Sequence, residues 1–468
     1  MDVSPVSQYL PEMWPLLAMV GTFVIGTFAL KLPVSISLVV ASVVGAVVGG
    51  EGFPLRHLAE GTLGYLDTLL IIATAMVFMR MIQASGLLDT VAHGMIARFH
   101  HRPATLLVLL MLFAMSAGMI TGSSTAAVLT TGAIVAPVFI ALGISRNKTG
   151  AIIAMAGILG MIAPPVNIPV MIIGGGVDMP YIGFTLPLLV LTVPLAIVIV
   201  LFLGLRSARA ASIGHDMLPK SYHDQYGLKL YLPLILLVVL IVGERALPRI
   251  VPSLGMPLIF AICAAVTPFT GRRFQALAAS RDAVGAALPV MGILAGVGMF
   301  LQIMALTGGR GFLVSMLVGL PLALLYLSIG VSMPLFGAVS AYGSASILGV
   351  PFVLALLGSN EILVASALSM VAAMGDLMPP TALAGLFAAK VVEQPNYVKV
   401  LKHTLAPAGL IILASLGFIA TARFWDRFLF WDNRLGLYGI LLGSVILVGG
   451  LVFLLDRVGP KRETAVAA

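Results

Sequence analysis

Two stretches of the chain repeat one pattern in the middle of long uncharged runs: Gly160-Met161-Ile162-Ala163-Pro164-Pro165 and Gly375-Asp376-Leu377-Met378-Pro379-Pro380. Adjacent prolines remove two backbone donors and clash with the turn before them, so each run is expected to be a helix broken midway. Free carbonyls then face a bare helix N-terminus. In a bilayer such backbone survives only where protein buries it or water fills a cavity, and a matched pair of interrupted spans points to a transporter's binding site.

A chain of 468 residues that is 60% hydrophobic and 9% charged, with a mean hydropathy of +1.12, lacks the polar surface to coat a soluble globule. It reads as a polytopic membrane protein. Its apolar runs match the ~20 residues a helix needs to cross hydrocarbon, not the alternation of a barrel strand. The net charge of +8 then belongs to loops on a lipid bilayer and not to a nucleic-acid surface. Cys263, the single cysteine, excludes an internal disulfide and a thiolate metal cluster and reads as a small packing residue. No Lys or Arg precedes the first apolar run, which argues against a cleaved signal peptide.

Cut at charges and Pro/Gly clusters, the first apolar runs are 14–30, 34–50, 63–82 and a short 87–99. A long uncharged segment with a polar middle, 103–143, reads as a hairpin, followed by a broken helix 149–174 and a span 181–205. After a connecting loop at 207–228 the order recurs: 230–243, 251–268, 283–306, a hairpin 312–358, a broken helix 362–389 and 405–422. This gives a first repeat over 1–206, a second over 229–422, and an unmatched helix with a tail over 423–468. Five crossings and one hairpin per repeat place the halves in opposite orientations. The expected fold is therefore an all-α integral membrane protein built as an inverted repeat with an additional C-terminal helix. With the N-terminus periplasmic and the C-terminus cytoplasmic, inner loops hold eighteen Lys and Arg and outer loops seven, as the positive-inside rule requires. Ordered landmarks support the repeat: Phe78 and Ser85-Gly86 match Phe300 and Thr307-Gly308, Gly122-Ser123 matches Gly343-Ser344, Pro137 matches Pro351, and the proline pairs match each other.

The hairpin tips are expected at Thr121-Gly122-Ser123-Ser124-Thr125 and at Tyr342-Gly343-Ser344-Ala345-Ser346. Hydroxyls and free N–H groups at the start of a returning helix suit an anion, although small residues also serve close helix packing in lipid. Asn167 and Thr381, just past the breaks, are candidates for substrate contact or for capping the second half-helix. Asp376 sits mid-span, where a carboxylate costs ~2.5–3.5 kcal/mol and needs a partner. That partner is a bound cation, a proton, or Arg80 from another helix, unless the acid is neutral and structural; Arg80 itself suits a snorkelling role at the inner surface. His100-His101 reads as a basic loop, and Asn147-Lys148-Thr149 falls on the wrong side for glycosylation.

Gly122-Ser123-Ser124-Thr125, Pro137 followed by Gly143, and the two Gly-x-x-x-Pro-Pro motifs make the chain similar to the large permease subunit of tripartite ATP-independent periplasmic (TRAP) transporters, within the ion transporter superfamily. The resemblance implies an elevator, in which hairpins and broken helices slide against a scaffold. It implies sodium-driven uptake of organic acids such as C4-dicarboxylates or sugar acids across the bacterial inner membrane, with a small four-helix membrane subunit and a periplasmic binding protein. It implies no enzymatic activity and no cofactor beyond a coupling ion, Na+ or H+. By position, Ser123, Ser124, Thr125, Asn167, Ser344, Ser346 and Thr381 would meet substrate, and Gly122, Pro164, Gly343, Asp376 and Pro379 the cation. The chain departs from the family at Val166, where Ser is usual, and at Asp376, where an apolar residue is expected, so sodium and proton coupling both stay open.

A stand-alone carboxylate carrier of the same architecture is the alternative, with the last helix either docking a companion subunit or replacing one. An intramembrane aspartyl protease is remote: Met374-Gly375-Asp376 approaches a Gly-x-Gly-Asp loop, but position 373 is Ala and no second acid lies at matching depth.

Overall fold

The structure is a computed structural model that describes residues 10–208, 218–246, 253–379, 381–430 and 434–458. Pro380 of the second break, much of the 207–228 loop and the tail after Val458 lie outside them. Among the described residues every regular element is helical, and eight helices are long and apolar enough to cross a membrane.

The first repeat begins with α1 (Leu10–Phe28), α2 (Val34–Val48), the short α3 (Leu55–Leu63), α4 (Leu66–Ala84) and α5 (Leu87–Phe99). Helix α6 (Pro103–Thr121) descends to the first hairpin tip and α7 (Ser124–Ala141) returns from it through a π-helical segment, Val128–Gly132. The broken span is α8 (Arg146–Ile162) and α9 (Ile168–Gly176), and α10 (Thr185–Gly204) closes the repeat.

The second repeat runs α11 (Leu232–Ala246), α12 (Gly255–Val266), α13 (Ala276–Leu306), α14 (Gly309–Val318), the hairpin α15 (Leu322–Gly337) and α16 (Ala341–Ala355), the broken pair α17 (Glu361–Ala373) and α18 (Leu383–Val391), and α19 (Tyr397–Ala420). A short α20 (Ala422–Leu429) leads to α21 (Arg434–Val458). The order of elements recurs. A left-handed glycine, Gly86 or Gly308, opens α5 and its counterpart α14, and α16 carries a π segment, Ala345–Gly349, as α7 does.

Three expected boundaries move, each for a local reason. Helix α13 starts at Ala276 and not at 283, because Arg281 and Asp282 sit at its watery end; its 31 residues span about 46 Å, longer than the ~30 Å hydrocarbon core. The segment expected as one hairpin from 312 splits into α14 and α15 at Gly319-Leu320-Pro321, since proline cannot continue a helix. Helix α19 begins at Tyr397, eight residues early, where the Asn396 side chain accepts from Val398 N–H at 3.0 Å.

The broken helices are the innermost elements. Every residue from Thr149 to Ile162 of α8 and from Leu363 to Ala373 of α17 is buried, which is why these runs are apolar on all sides. The glycine that opens each Gly-x-x-x-Pro-Pro motif is explained by its contact. Gly160 packs on α6, where a Cβ would lie 2.5 Å from the Met115 carbonyl oxygen, and Gly375 packs on Gly337 of α15, where a Cβ would lie 2.1 Å from the Gly337 carbonyl carbon. Each half-helix thus lies backbone-to-backbone on the hairpin of its own repeat. The other wall is continuous helix, with α13 laid across α2, α3 and α4.

Helix α21 has no counterpart in the first repeat and docks on hairpin 1. The Asp456 carboxylate accepts from Ala104 N–H at 2.7 Å, Thr105 N–H at 3.0 Å and the Thr105 hydroxyl at 2.6 Å. It satisfies orphan donors at the start of α6, while the Arg102 guanidinium stacks 4.6 Å over the Phe453 ring.

Gly375→Ala is expected to lower stability by about 1–3 kcal/mol through overpacking against rigid backbone. Gly409→Ala, where a Cβ would meet nothing within 4 Å, serves as the neutral control. Thermal unfolding of the detergent-solubilised variants checks both.

Candidate functional site

A cavity of about 650 Å³ lies between the two walls, within the size range of small-molecule sites. One side is built from the hairpin tips and the second break: Thr121, Ser123, Ser124, Thr125, Ser340, Tyr342, Asp376 and Thr381. The other side is continuous helix, with Met76, Met79, Arg80 and Gln83 of α4 facing Asp282, Ala283, Ala286 and Pro289 of α13.

The first tip turns at Gly122, whose φ of 64° ends α6 in the left-handed region. Ser123 then caps α7, its Oγ accepting from Ala126 N–H at 3.3 Å. This leaves the Ser123 hydroxyl free to donate into the cavity, beside Thr125. Ser124 reaches across the repeat interface: its Oγ lies 2.5 Å from Oδ2 of Asp376. Asp376 is 5% exposed and stands in a 3-10 turn, Met374–Leu377, that ends the first half of the second broken span.

Backbone groups freed by the breaks are bonded to the hairpins. Val166 N–H donates to Met119 O at 3.1 Å in the first repeat. In the second, Thr381 donates its N–H at 3.4 Å and its hydroxyl at 2.8 Å to Ala338 O. Asn167 caps α9: Oδ1 accepts from Val170 N–H at 2.9 Å, and Nδ2 donates to Ile162 O at 2.8 Å and to Ser369 Oγ at 3.0 Å. The Tyr342 hydroxyl donates to Gly122 O at 3.1 Å and ties one tip to the other.

The second hairpin turns earlier than its sequence landmark. Expected at Tyr342-Gly343-Ser344-Ala345-Ser346, the turn lies at residues 338–340, because Gly337 ends α15 against Gly375 and Ser340 caps α16 by accepting from Gly343 N–H at 3.2 Å. Ser340 is therefore the structural equivalent of Ser123, each followed five residues later by the π segment. The pairing of Gly122-Ser123 with Gly343-Ser344 is corrected accordingly. Pro351 stands eleven residues past its cap and Pro137 fourteen, so they are not equivalent either.

Of the residues singled out in the sequence, Ser123, Ser124, Thr125, Asp376 and Thr381 share the cavity wall. Asn167, Ser344 and Ser346 are fully buried away from it, the two serines donating to Met333 O and Gly343 O. Gly122, Pro164, Gly343 and Pro379 shape the backbone behind the wall without lining it. Arg80 does not reach Asp376. It lies 3.6 Å from Asp282, at the end of the cavity formed by the last turn of α4 and the early turns of α13, the two side chains 47% and 62% exposed. The sequence motifs leave out Ser340 and Asp282, and they place Tyr342 at the second tip without assigning it a contact. A serine three residues before Gly343 is an N-cap signal for Ser340, whereas no local pattern announces that Tyr342 spans to the opposite tip.

A family model, the DctM component of tripartite ATP-independent periplasmic transporters, matches residues 21–423, and so stops short of α21. Among solved structures, the crystal structure of the Alcanivorax borkumensis YdaH transporter, which has an unusual topology, aligns with a TM-score of 0.55 at 17% identity, over 88% of this chain and 98% of that one. That likeness is one of fold. No curated protein matches the sequence. Membership in a tripartite system implies two further components, a small membrane subunit and a periplasmic binding component, and a place in the bacterial inner membrane. With its inverted repeat and paired broken helices, the chain belongs to the DctM component family of tripartite ATP-independent periplasmic transporters.

Proposed function

We propose that the chain is the permease that carries a small organic anion, such as a C4-dicarboxylate or a sugar acid, into the cell on a sodium or proton gradient. The observation that carries this reading is the division of the cavity: one wall of hairpin tips and a broken helix, the other of uninterrupted helices. The hairpin wall offers what an anion needs without a fixed cation, namely the start of α7, the hydroxyls of Ser123 and Thr125, and the Ser340 tip. An elevator movement slides this wall, with its cavity, past α2, α4 and α13. The tip bonds from Ser124 to Asp376 and from Tyr342 to Gly122 hold the two hairpins together as one moving body. In the orientation with the N-terminus periplasmic, the end of the cavity at Arg80 and Asp282 faces the cytoplasm, beside the basic loops of Arg98, Arg272 and Arg273. On this reading the arrangement is assigned to the inward-facing state.

Uptake of labelled organic acids into proteoliposomes, with and without companion subunits, tests the reading. Accumulation by this chain alone would replace the tripartite assignment with a stand-alone carrier. Ser123→Ala and Thr125→Ala are each expected to raise KM about tenfold, the loss of one hydrogen bond to a charged group at ~1.5 kcal/mol. In a Cys263→Ala background, Thr125→Cys and Ser340→Cys are expected to react with an impermeant maleimide from the cytoplasmic face, while Ser344→Cys and Ser346→Cys stay unlabelled. Labelling of Ser340→Cys from the periplasmic face alone would reverse the assigned state.

A further inference from the structure

We infer that a second cavity, between the start of α11 and the α12–α13 loop, binds the phosphate headgroup of an anionic phospholipid. This cavity, of about 630 Å³, shares no lining residue with the one between the hairpin wall and the continuous helices. A 3-10 turn, Gly227–Tyr231, gives it Lys229, and the loop after another such turn, Thr267–Phe269, gives it Arg272 and Arg273. Gln225, Tyr226 and Thr270 add polar groups, and no carboxylate is among the described residues that line it. The inference is independent of what the permease carries and of the ion that drives it.

Basic inner loops by themselves only satisfy the positive-inside rule. Two observations here go further. The first is that the fold fixes the cations in place while leaving their charge unspent. Arg272 N–H donates to Ser85 O at 3.0 Å, and Gly271 lies so close that a Cβ would stand 2.6 Å from the same oxygen. Tyr222, whose N–H donates to the Thr90 hydroxyl at 3.0 Å, places its ring centroid 5.9 Å from the Arg272 guanidinium, and Asp89 of α5 attracts Arg272 as well. Lys229 and Arg273 are both exposed and have no ion-pair partner among the described residues. Their charge is open to a ligand.

The second observation is the apolar rim. Leu228, Phe269 and Leu277, which flank Lys229 and Arg273 along the chain, are 80%, 86% and 85% exposed. The exposed face of α11, with Leu232, Ile235, Val239 and Val242, continues from the same turn at helical spacing. A free phosphate would neutralise the cations and leave this apolar surface bare. A phospholipid answers both: its phosphate oxygens suit the planar fork of Arg273 and the ammonium of Lys229, and its acyl chains cover the rim and the α11 face. In the orientation with the N-terminus periplasmic, the cavity opens at the inner leaflet, where basic pockets between spans take acidic headgroups. A lipid held there bridges the turn before α11 and the loop before α13.

The test uses the full chain in detergent, with native mass spectrometry to follow bound lipid and thermal unfolding to read its effect. Dioleoyl phosphatidylglycerol should bind and raise the thermal midpoint, and dioleoyl phosphatidylcholine, with the same chains, should do neither; equal binding of the two overturns the inference. Lys229→Gln combined with Arg273→Gln is expected to weaken phosphatidylglycerol binding about thirtyfold, the effect of two cations at a membrane surface. Lys399→Gln with Lys402→Gln removes the same charge from exposed positions of α19 and should leave binding unchanged. An equal loss in that pair would show a general attraction to the basic face, and the site falls. Phe269→Ser keeps the charge and should still weaken binding. Glycerol phosphate at matched ionic strength should not move the midpoint; a shift as large as the lipid's makes this a free-phosphate site and overturns the lipid assignment. Bound phosphatidylglycerol should stay when the small membrane subunit is added, and its displacement would give the cavity to a protein partner instead.

Discussion

Everything in this molecule follows from the rule that a peptide group inside hydrocarbon must find its hydrogen bond within the protein. Two proline breaks release backbone donors and acceptors at mid-depth, where no water or lipid answers them cheaply. The hairpins supply the answer. Met119 O receives Val166 N–H, and Ala338 O receives Thr381, so each tip must end beside the break of its own repeat. The Gly160 contact with α6 and the Gly337–Gly375 contact bring the backbones close enough for those bonds. A side chain at either motif glycine would separate hairpin from half-helix and leave the break unsatisfied.

The two repeats share this scaffold and differ in what they attach to it. In the first, Asn167 uses its whole amide to cap α9 and hold Ser369, and the result is structural. In the second, the half-helix begins without a side-chain cap, at Ala382 with a φ of 38°, and the polar residues nearby, Asp376 and Thr381, face the cavity. The architecture is thus shared between the repeats, while the polar groups that line the cavity at a break come from the second alone. The Ser124–Asp376 and Tyr342–Gly122 bonds then cross between repeats, so the tips respond as one unit.

Helix α21 adds a second kind of asymmetry. It lies outside the matched family region and grips the base of hairpin 1 through Asp456. The carboxylate occupies the donors that α6 would otherwise offer to water, and the Arg102–Phe453 contact covers its flank. The appended helix is thus attached to hairpin 1.

The sequence by itself determined the membrane class, the repeat, the two breaks and the first tip, because these are written in local chemistry: uncharged length, proline's missing donor, glycine's left-handed turn at Gly122. It also marked Ser123, Ser124, Thr125, Asp376 and Thr381, since hydroxyls and an acid amid hydrocarbon are costly enough to stand out. The true turn of the second hairpin was hidden, as Gly343 imitates a tip residue while Ser340 is an ordinary serine until Gly337 meets Gly375. Tertiary structure alone decided that Arg80 faces Asp282 and not Asp376, that Asn167 is consumed by capping, and that Tyr342 reaches Gly122. Each depends on the distance between elements far apart along the chain, which packing sets and periodicity cannot encode.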